Sequence, residues 1–170
     1  MTPEQLLLDL SERVRSRYYG KYRGTVSDID ADTLRIKAMV PAVLGAQTSG
    51  WAMPCVPYAG PQVGMAFLPE VGSGVWIEFE GGDVSFPIWV GCYWRAGELP
   101  SEAKPAVKAI ITKGKTKLLI DDDQTTVELS DANNNKVTLS SSGITAERQS
   151  QKLAIESSKT SINGSAFEVM

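Results

Sequence analysis

The sequence predicts an all-β protein built in two different parts, a barrel and a repetitive tail, with a short helix in front. All nine prolines and twelve of the thirteen aromatic residues lie at or before Pro105. The 65 residues after it contain one aromatic residue and 16 Ser/Thr, against 11 Ser/Thr in the first 105. Short apolar groups recur through this tail every 7 to 10 residues and alternate with turn-forming segments. Such a period indicates a stacked β architecture.

The first element is a helix predicted within residues 1–17. Thr2 is placed as its N-cap, Pro3 at the first helical position, and Gln5 completes a capping box. Its apolar stripe is formed by Leu6, Leu7, Leu10 and Val14. We expect this stripe to pack on the barrel that follows or on a neighbouring subunit.

The second element, residues 18–97, is a predicted barrel. Its hydrophobic pattern changes to a period of two, which is typical of strands. Five strands are predicted, at 21–29, 34–40, 51–56, 74–80 and 86–94. Five short strands with Gly-rich turns suit a small closed barrel of the OB type. The connections at 42–50 and 57–69 are long enough to reach partners.

The last element is a predicted spike at 108–170, joined to the barrel by a linker at 98–107. Its apolar residues alternate with Ser, Thr, Glu and Lys, so each strand has one apolar face. One chain has too few apolar residues to cover this face and would expose long sheet edges. Three chains wound into an intertwined β-helix or β-prism would solve both problems. The alternatives are a monomeric β-domain and a Ser/Thr-rich linker. The predicted trimer core consists of Leu119, Val127, Leu129, Val137, Leu139, Ile144, Leu153 and Ile155.

Composition argues against catalysis and against nucleic-acid binding. The net charge is −3 and histidine is absent, so no Ser-His or Cys-His pair and no histidine-dependent zinc site is available. Glu78 and Glu80 resemble paired catalytic carboxylates, and 121–123 is an acidic run, but we interpret both as solvated residues. We therefore predict no catalytic, cofactor-binding or metal-binding residue. Cys55 and Cys92 are expected to be buried free thiols.

The tryptophans keep a binding function open. Exposed aromatic residues on an OB barrel stack on bases or sugars, so an OB-fold module that binds nucleic acid or glycan is the alternative function. We favour burial in the barrel or in a subunit interface. The residues concerned are Trp51, Trp76, Trp89 and Trp94.

A specific motif then gives a family resemblance. Residues 69–83 read Pro-Glu-Val-Gly-Ser-Gly-Val-Trp-Ile-Glu-Phe-Glu-Gly-Gly-Asp, and residues 86–94 read Phe-Pro-Ile-Trp-Val-Gly-Cys-Tyr-Trp. Together with Tyr-Arg-Gly-Thr-Val at 22–26, they resemble the baseplate spike family. This family includes the phage baseplate assembly protein V group, the central spikes of contractile injection systems and the VgrG proteins. The resemblance implies an OB barrel followed by a trimeric β-helical spike at the tip of a tail tube.

The resemblance also implies the partners. We expect a homotrimer assembled in the cytoplasm and carried at the baseplate of a phage tail or injection particle, contacting the target membrane only mechanically. A separate hub protein should hold it, because the hub domains of VgrG proteins are missing. Without histidine, the His-x-His iron site of some phage spikes cannot form. A tip protein of the Pro-Ala-Ala-Arg (PAAR) family is expected to dock on Phe167, Val169 and Met170.

Overall fold

The computed structural model describes residues 2–164 and 166–169, and it is predominantly β. The chain divides into two compact units, Met1–Glu98 and Leu99–Met170. The division falls at the start of the predicted linker. No helix among the described residues is long and apolar enough to cross a membrane.

Helix α1 spans Pro3–Arg15 and begins as its sequence predicts. The Thr2 hydroxyl accepts a hydrogen bond from the Gln5 backbone N–H at 3.3 Å, and the Gln5 side-chain oxygen accepts one from the Thr2 N–H at 2.9 Å. This reciprocal pair is the capping box, which fixes where the helix starts. The apolar stripe of α1 is exposed, so the expected packing on the barrel of the same chain does not occur.

The barrel consists of a curled five-stranded sheet in the order β2-β1-β6-β7-β3. Its strands are β1 (Tyr22–Asp30), β2 (Arg35–Met39), β3 (Met53–Pro54), β6 (Gly74–Phe79) and β7 (Pro87–Tyr93). Between β3 and β6 lies a two-stranded hairpin, β4 (Ala59–Gly60) and β5 (Val63–Gly64). A short helix, α2 (Pro41–Leu44), follows β2, and a 3₁₀ turn (Glu80–Gly82) follows β6.

The sheet closes on itself through the segment that precedes β3. Ile36 of β2 pairs with Ala52, and Met39 of β2 pairs with Thr48, while β3 pairs with β7 in parallel. The predicted third strand is therefore shorter than expected, because only Met53–Pro54 pairs as a strand with β7. The closed sheet encloses the core formed by Val26, Ile36, Ala38, Val40, Ala52, Val75, Ile77, Phe79 and Trp89.

The second unit is a single antiparallel meander of eight strands, each paired with the next along the chain. Its strands are β8 (Val107–Ile111), β9 (Lys117–Asp121), β10 (Thr126–Ser130), β11 (Asn135–Ser140), β12 (Gly143–Arg148), β13 (Gln151–Ile155), β14 (Thr160–Ile162) and β15 (Phe167–Val169). The predicted series of short strands is thus observed. Strand β8 comes before the first residue of the predicted trimer core, Leu119. In the single chain these strands form one sheet with two edges, β8 and β15.

Candidate functional site

One side of the meander is lined mainly by apolar side chains, and we call this side the apolar face. Cross-strand partners share a face of a sheet, so the pairing register defines its members. Its apolar members are Ile110, Leu118, Ile120, Val127, Leu129, Val137, Leu139, Ile144, Ala146, Leu153, Ile155, Ile162, Phe167 and Val169. The same register places two polar residues on this face, Lys108 opposite Ile120 and Thr160 opposite Ile155 and Val169. Eleven of the apolar side chains are between 39% and 59% exposed. An exposed apolar surface of this extent indicates an interaction site.

The opposite face of the meander is polar. Thr138 and Thr145 pair across its centre, and Glu147 lies between Lys136 and Lys152 at 3.5 and 3.3 Å. The hydrogen bond from the Lys152 ammonium, with the charge of Lys136, lowers the pKa of Glu147. Partly exposed ion pairs of this kind contribute about 0–1 kcal/mol each. Ala154 and Ser161, on the same face, are buried.

Seven of the eight predicted core residues lie on the apolar face, but Leu119 does not. Leu119 pairs with Glu128 and so belongs to the polar face, whereas its neighbours Leu118 and Ile120 pair with Leu129 and Val127. Three consecutive apolar residues fit a period of two in either phase, and the strand pairing decides between them. Any core built on this face therefore contains Leu118 and Ile120 in place of Leu119.

The turns of the meander are stabilised locally. In the β10–β11 turn, the Asp131 carboxylate accepts backbone hydrogen bonds from Asn133 at 2.8 Å and Asn135 at 3.0 Å, and a side-chain one from Asn135 at 2.7 Å. These bonds, the Asn135 side-chain bond most of all, lower the pKa of Asp131 to about 2. Asp121 accepts similar backbone bonds from Asp123 and Gln124 in the β9–β10 turn. The acidic run 121–123 thus makes a turn.

The last strand extends the apolar face to the end of the described chain. Phe167 pairs with Ile162, and Val169 pairs with Thr160, which places both side chains on the apolar face. Both are more than half exposed. Met170, the third residue of the predicted tip-docking group, lies outside the described residues.

The aromatic residues of the barrel occupy different environments. Trp89 is buried in the core, as expected. Trp76 lies on the outer side of the sheet, 5.1 Å from the Tyr93 ring, with the Arg23 guanidinium 5.7 Å from its centroid. Trp94 is 65% exposed. The sequence pattern did not reveal the outer cluster, although alternation within 74–79 places Trp76 on the side opposite to Val75 and Ile77.

The two carboxylates that resembled a catalytic pair lie in different local structures. Glu78, on β6, forms an ion pair with Lys21. Glu80 begins the 3₁₀ turn, so the two-residue strand spacing assumed for the pair does not continue through it. Within residues 2–164 and 166–169, no group of three or more His, Cys, Asp or Glu side chains could hold a metal ion.

The two cysteines are free, but the expectation that they are buried is wrong. Cys55 and Cys92 are both exposed. Cys55 lies in the loop after β3, and Cys92 lies near the end of β7, so neither is enclosed by the core. Both thiols are open to a soluble reagent.

Comparison with protein families gives a match that falls on the barrel. Residues 22–94 match the family model of the type VI secretion system/phage-baseplate injector OB domain. This stretch is similar to the injector OB domain. The match covers β1 to β7 and includes both motif stretches that carried the resemblance. No curated protein matches the chain.

The match to the injector OB-domain model supports a coarse role for the protein. The family is a structural domain of the baseplate, so the chain has a baseplate-related structural role in a tail or injection particle. Interactions with other baseplate components follow from that position. The matched residues end at 94, so the meander and its apolar face lie outside the family match.

Proposed function

We propose that the protein is the homotrimeric central spike of a contractile tail or tail-like injection machine. The observation that carries the proposal is the apolar face, which runs through all eight strands and stays exposed in the single chain. Three copies arranged around an axis bury this face and leave the polar face outside. The meander is then one side of an intertwined β-prism, and the injector OB domain is the part that docks to the baseplate hub.

The energetics favour this arrangement over a free monomer. Full burial of a Leu, Ile or Val side chain contributes about 1.5–3 kcal/mol, so covering the half that remains exposed contributes roughly 1 kcal/mol per residue. The face has ten such exposed Leu, Ile or Val residues in each chain, together with Phe167. Assembly also reduces the exposure of the β8 and β15 edges, which otherwise invite uncontrolled pairing.

The mechanism that follows is mechanical and needs no catalytic residue. A closed prism with paired backbone and a dry interior is stiff, and its polar exterior carries Thr, Glu and Lys that stay hydrated as the spike slides. Driven by contraction of the tail, such a spike would lead the puncture of the target membrane without binding it. No cofactor is required for this function.

The trimer predicts a native mass of about 55 kDa, three chains of 18.4 kDa each, by light scattering, and a band at that position on an unboiled SDS gel. Leu129→Lys should shift the mass toward 18.4 kDa, because it would bury a charge inside the prism. In the single chain Leu129 is 52% exposed, so the substitution should leave the fold of the chain itself intact. Glu128→Lys, one residue away on the polar face, is the matched control and should remain a trimer. A wild-type monomer would contradict the proposal and favour the OB-fold module for nucleic acid or glycan.

The end of the spike is proposed to carry a tip protein of the PAAR type. Phe167 and Val169 of the three chains would form an apolar end that needs a cap, with Met170 next in the chain. A chain shortened by residues 163–170 should lose binding of such a tip protein in a pull-down while its mass stays that of a trimer. Tip binding by the shortened trimer would rule out this docking site.

A further inference from the structure

Helix α1 has an apolar stripe that its own chain leaves uncovered. Its four residues, Leu6, Leu7, Leu10 and Val14, are 57% to 67% exposed. At about 100° per residue they span an arc of about 100° around the helix axis. An apolar stripe of this width is typical of a helix that packs on a broad surface, whereas the stripe of a coiled coil is narrower. A helix of 13 residues is also marginal in water by itself. Both facts indicate that α1 packs on something.

The residues just after the C-terminal end of α1 contact the barrel of their own chain. The Arg17 guanidinium donates to the Asp83 carboxylate at 3.1 Å, and the Tyr18 N–H donates to the Gly82 carbonyl at 2.8 Å. Gly82 has a φ of +76°, and a Cβ there would lie 3.1 Å from the Tyr18 nitrogen, so this contact requires glycine. The chain is thus held two residues after α1 ends, while the stripe remains free.

The barrel carries a second uncovered apolar surface, which we call the barrel groove. Its walls include Tyr58, Val63, Met65 and Phe67, each 45% to 59% exposed, and Trp89 lies at its base. The cavity has a volume of about 610 Å³, within the usual range of binding clefts. Among the described residues that line it, Asp32 is the only charged one. A groove with this lining accepts apolar side chains and does not select a charged ligand.

We propose that α1 of one subunit lies in the barrel groove of the next subunit, with Leu7, Leu10 and Val14 as its anchors. Their spacing of i, i+3 and i+7 is that of an amphipathic helix bound in a groove. A stripe on one copy that contacts a groove on the next is a heterologous contact, which closes into a ring when three copies are present. The inference rests on the proposed trimer.

The trimer also explains why a second copy of the chain is the occupant. Apart from Asp32, which lines the groove, both surfaces are formed by uncharged and mainly apolar residues, so they match each other in chemistry. Within an assembled trimer the neighbouring helix is present at an effective concentration of the order of millimolar. A free partner protein would have to compete with that helix for the same groove.

Cross-linking with paired cysteines tests the contact. Leu10→Cys and Val63→Cys are combined in a chain that also carries Cys55→Ser and Cys92→Ser, because both native thiols are exposed. After treatment with a short bis-maleimide, boiled SDS gels should show a covalent trimer, since three head-to-tail links close the ring. The matched controls carry Leu10→Cys alone or Val63→Cys alone in the same background and should remain single chains.

The alternatives give different patterns. Dimers from Leu10→Cys alone would mean that the helices contact one another, and links confined to single chains would place α1 on its own barrel. Either result overturns the inference, and so does a 55 kDa trimer in which no cross-link forms. None of these three results contradicts the proposed spike. A native mass of 18.4 kDa instead removes the trimer and the inference together.

A pair of point variants gives a second readout that does not depend on cross-linker reach. Leu10→Asp places a charge in the stripe, whereas Leu8→Asp places one on the opposite side of α1, and both side chains are exposed in the single chain. Leu10→Asp should lower the thermal midpoint of the trimer by several degrees and increase proteolysis within residues 3–15. Equal effects of the two variants would contradict the proposed contact.

Discussion

At the scale of single residues, local hydrogen bonds determine the turns of the meander. Asp131 is the clearest case, because its two oxygens accept bonds from the backbone and side chains of Asn133 and Asn135. All four bonds favour the ionised carboxylate, so its pKa falls from 3.8 to about 2. The turn between β10 and β11 is therefore coupled to the ionisation of one side chain.

This coupling predicts a pH dependence of stability. Because the folded pKa of Asp131 is lowered, its contribution is complete above its unfolded pKa of 3.8 and is lost as the pH falls through about 2. The thermal midpoint of Asp131→Asn should lie below that of the wild type at pH 6, and the difference should shrink toward pH 2. Asp123→Asn removes the same charge from the neighbouring β9–β10 turn and serves as the control, with a smaller difference. A difference that stays constant from pH 6 to pH 2 would contradict the coupling.

At the scale of elements, strand pairing fixes which side chains share a face. Leu118, Leu119 and Ile120 illustrate this, because only the register with β10 places Leu119 beside Glu128. The β11–β12 connection shows how tightly that register is held. Gly143 has a φ of +139°, and a Cβ at this position would lie 2.1 Å from the Ile155 carbonyl oxygen of β13. No side chain fits there without moving β12 away from β13.

Gly143→Ala should therefore destabilise the meander. We expect a loss of at least about 2 kcal/mol, because the substitution adds a backbone clash to an unfavourable φ. Gly114→Ala is the matched control, since the nearest atom to its added Cβ is 3.9 Å away. Chemical denaturation followed by circular dichroism measures both. If Gly143→Ala unfolds at the same denaturant concentration as Gly114→Ala, the close approach of β12 and β13 is not rigid.

At the scale of the whole molecule, three groups of exposed apolar side chains among the described residues enter the proposals: the α1 stripe, the barrel groove and the apolar face of the meander. The first and third lie on regular elements, whereas the barrel groove is formed largely by loop residues around the β4–β5 hairpin. The proposed homotrimer covers all three surfaces with copies of the same chain. Its native mass is accordingly the measurement that decides most about this protein.

Much of this architecture could be predicted from the sequence because it depends on neighbours along the chain. The Thr2–Gln5 capping box predicts where α1 begins, and the hydrophobic period of two predicts β1, β2, β6 and β7. The recurring apolar groups of the tail predict the meander strands from β9 onward. The motif at 69–94 was specific enough to indicate the injector OB-domain family, which the match at 22–94 confirms. The side chains behind these predictions lie within a few residues of one another, where spacing alone determines geometry.

The remaining features depend on contacts between residues distant in sequence, and only the tertiary structure decided them. Pairing across strands moved Leu119 off the apolar face, and the link between Ile36 and Ala52 closed the barrel. The α1 stripe remained uncovered because the barrel core is complete without it. The alternating pattern of the tail determined that one face would be apolar, whereas the register of its eight strands decided which side chains form that face, since a shift of one residue reverses every side chain.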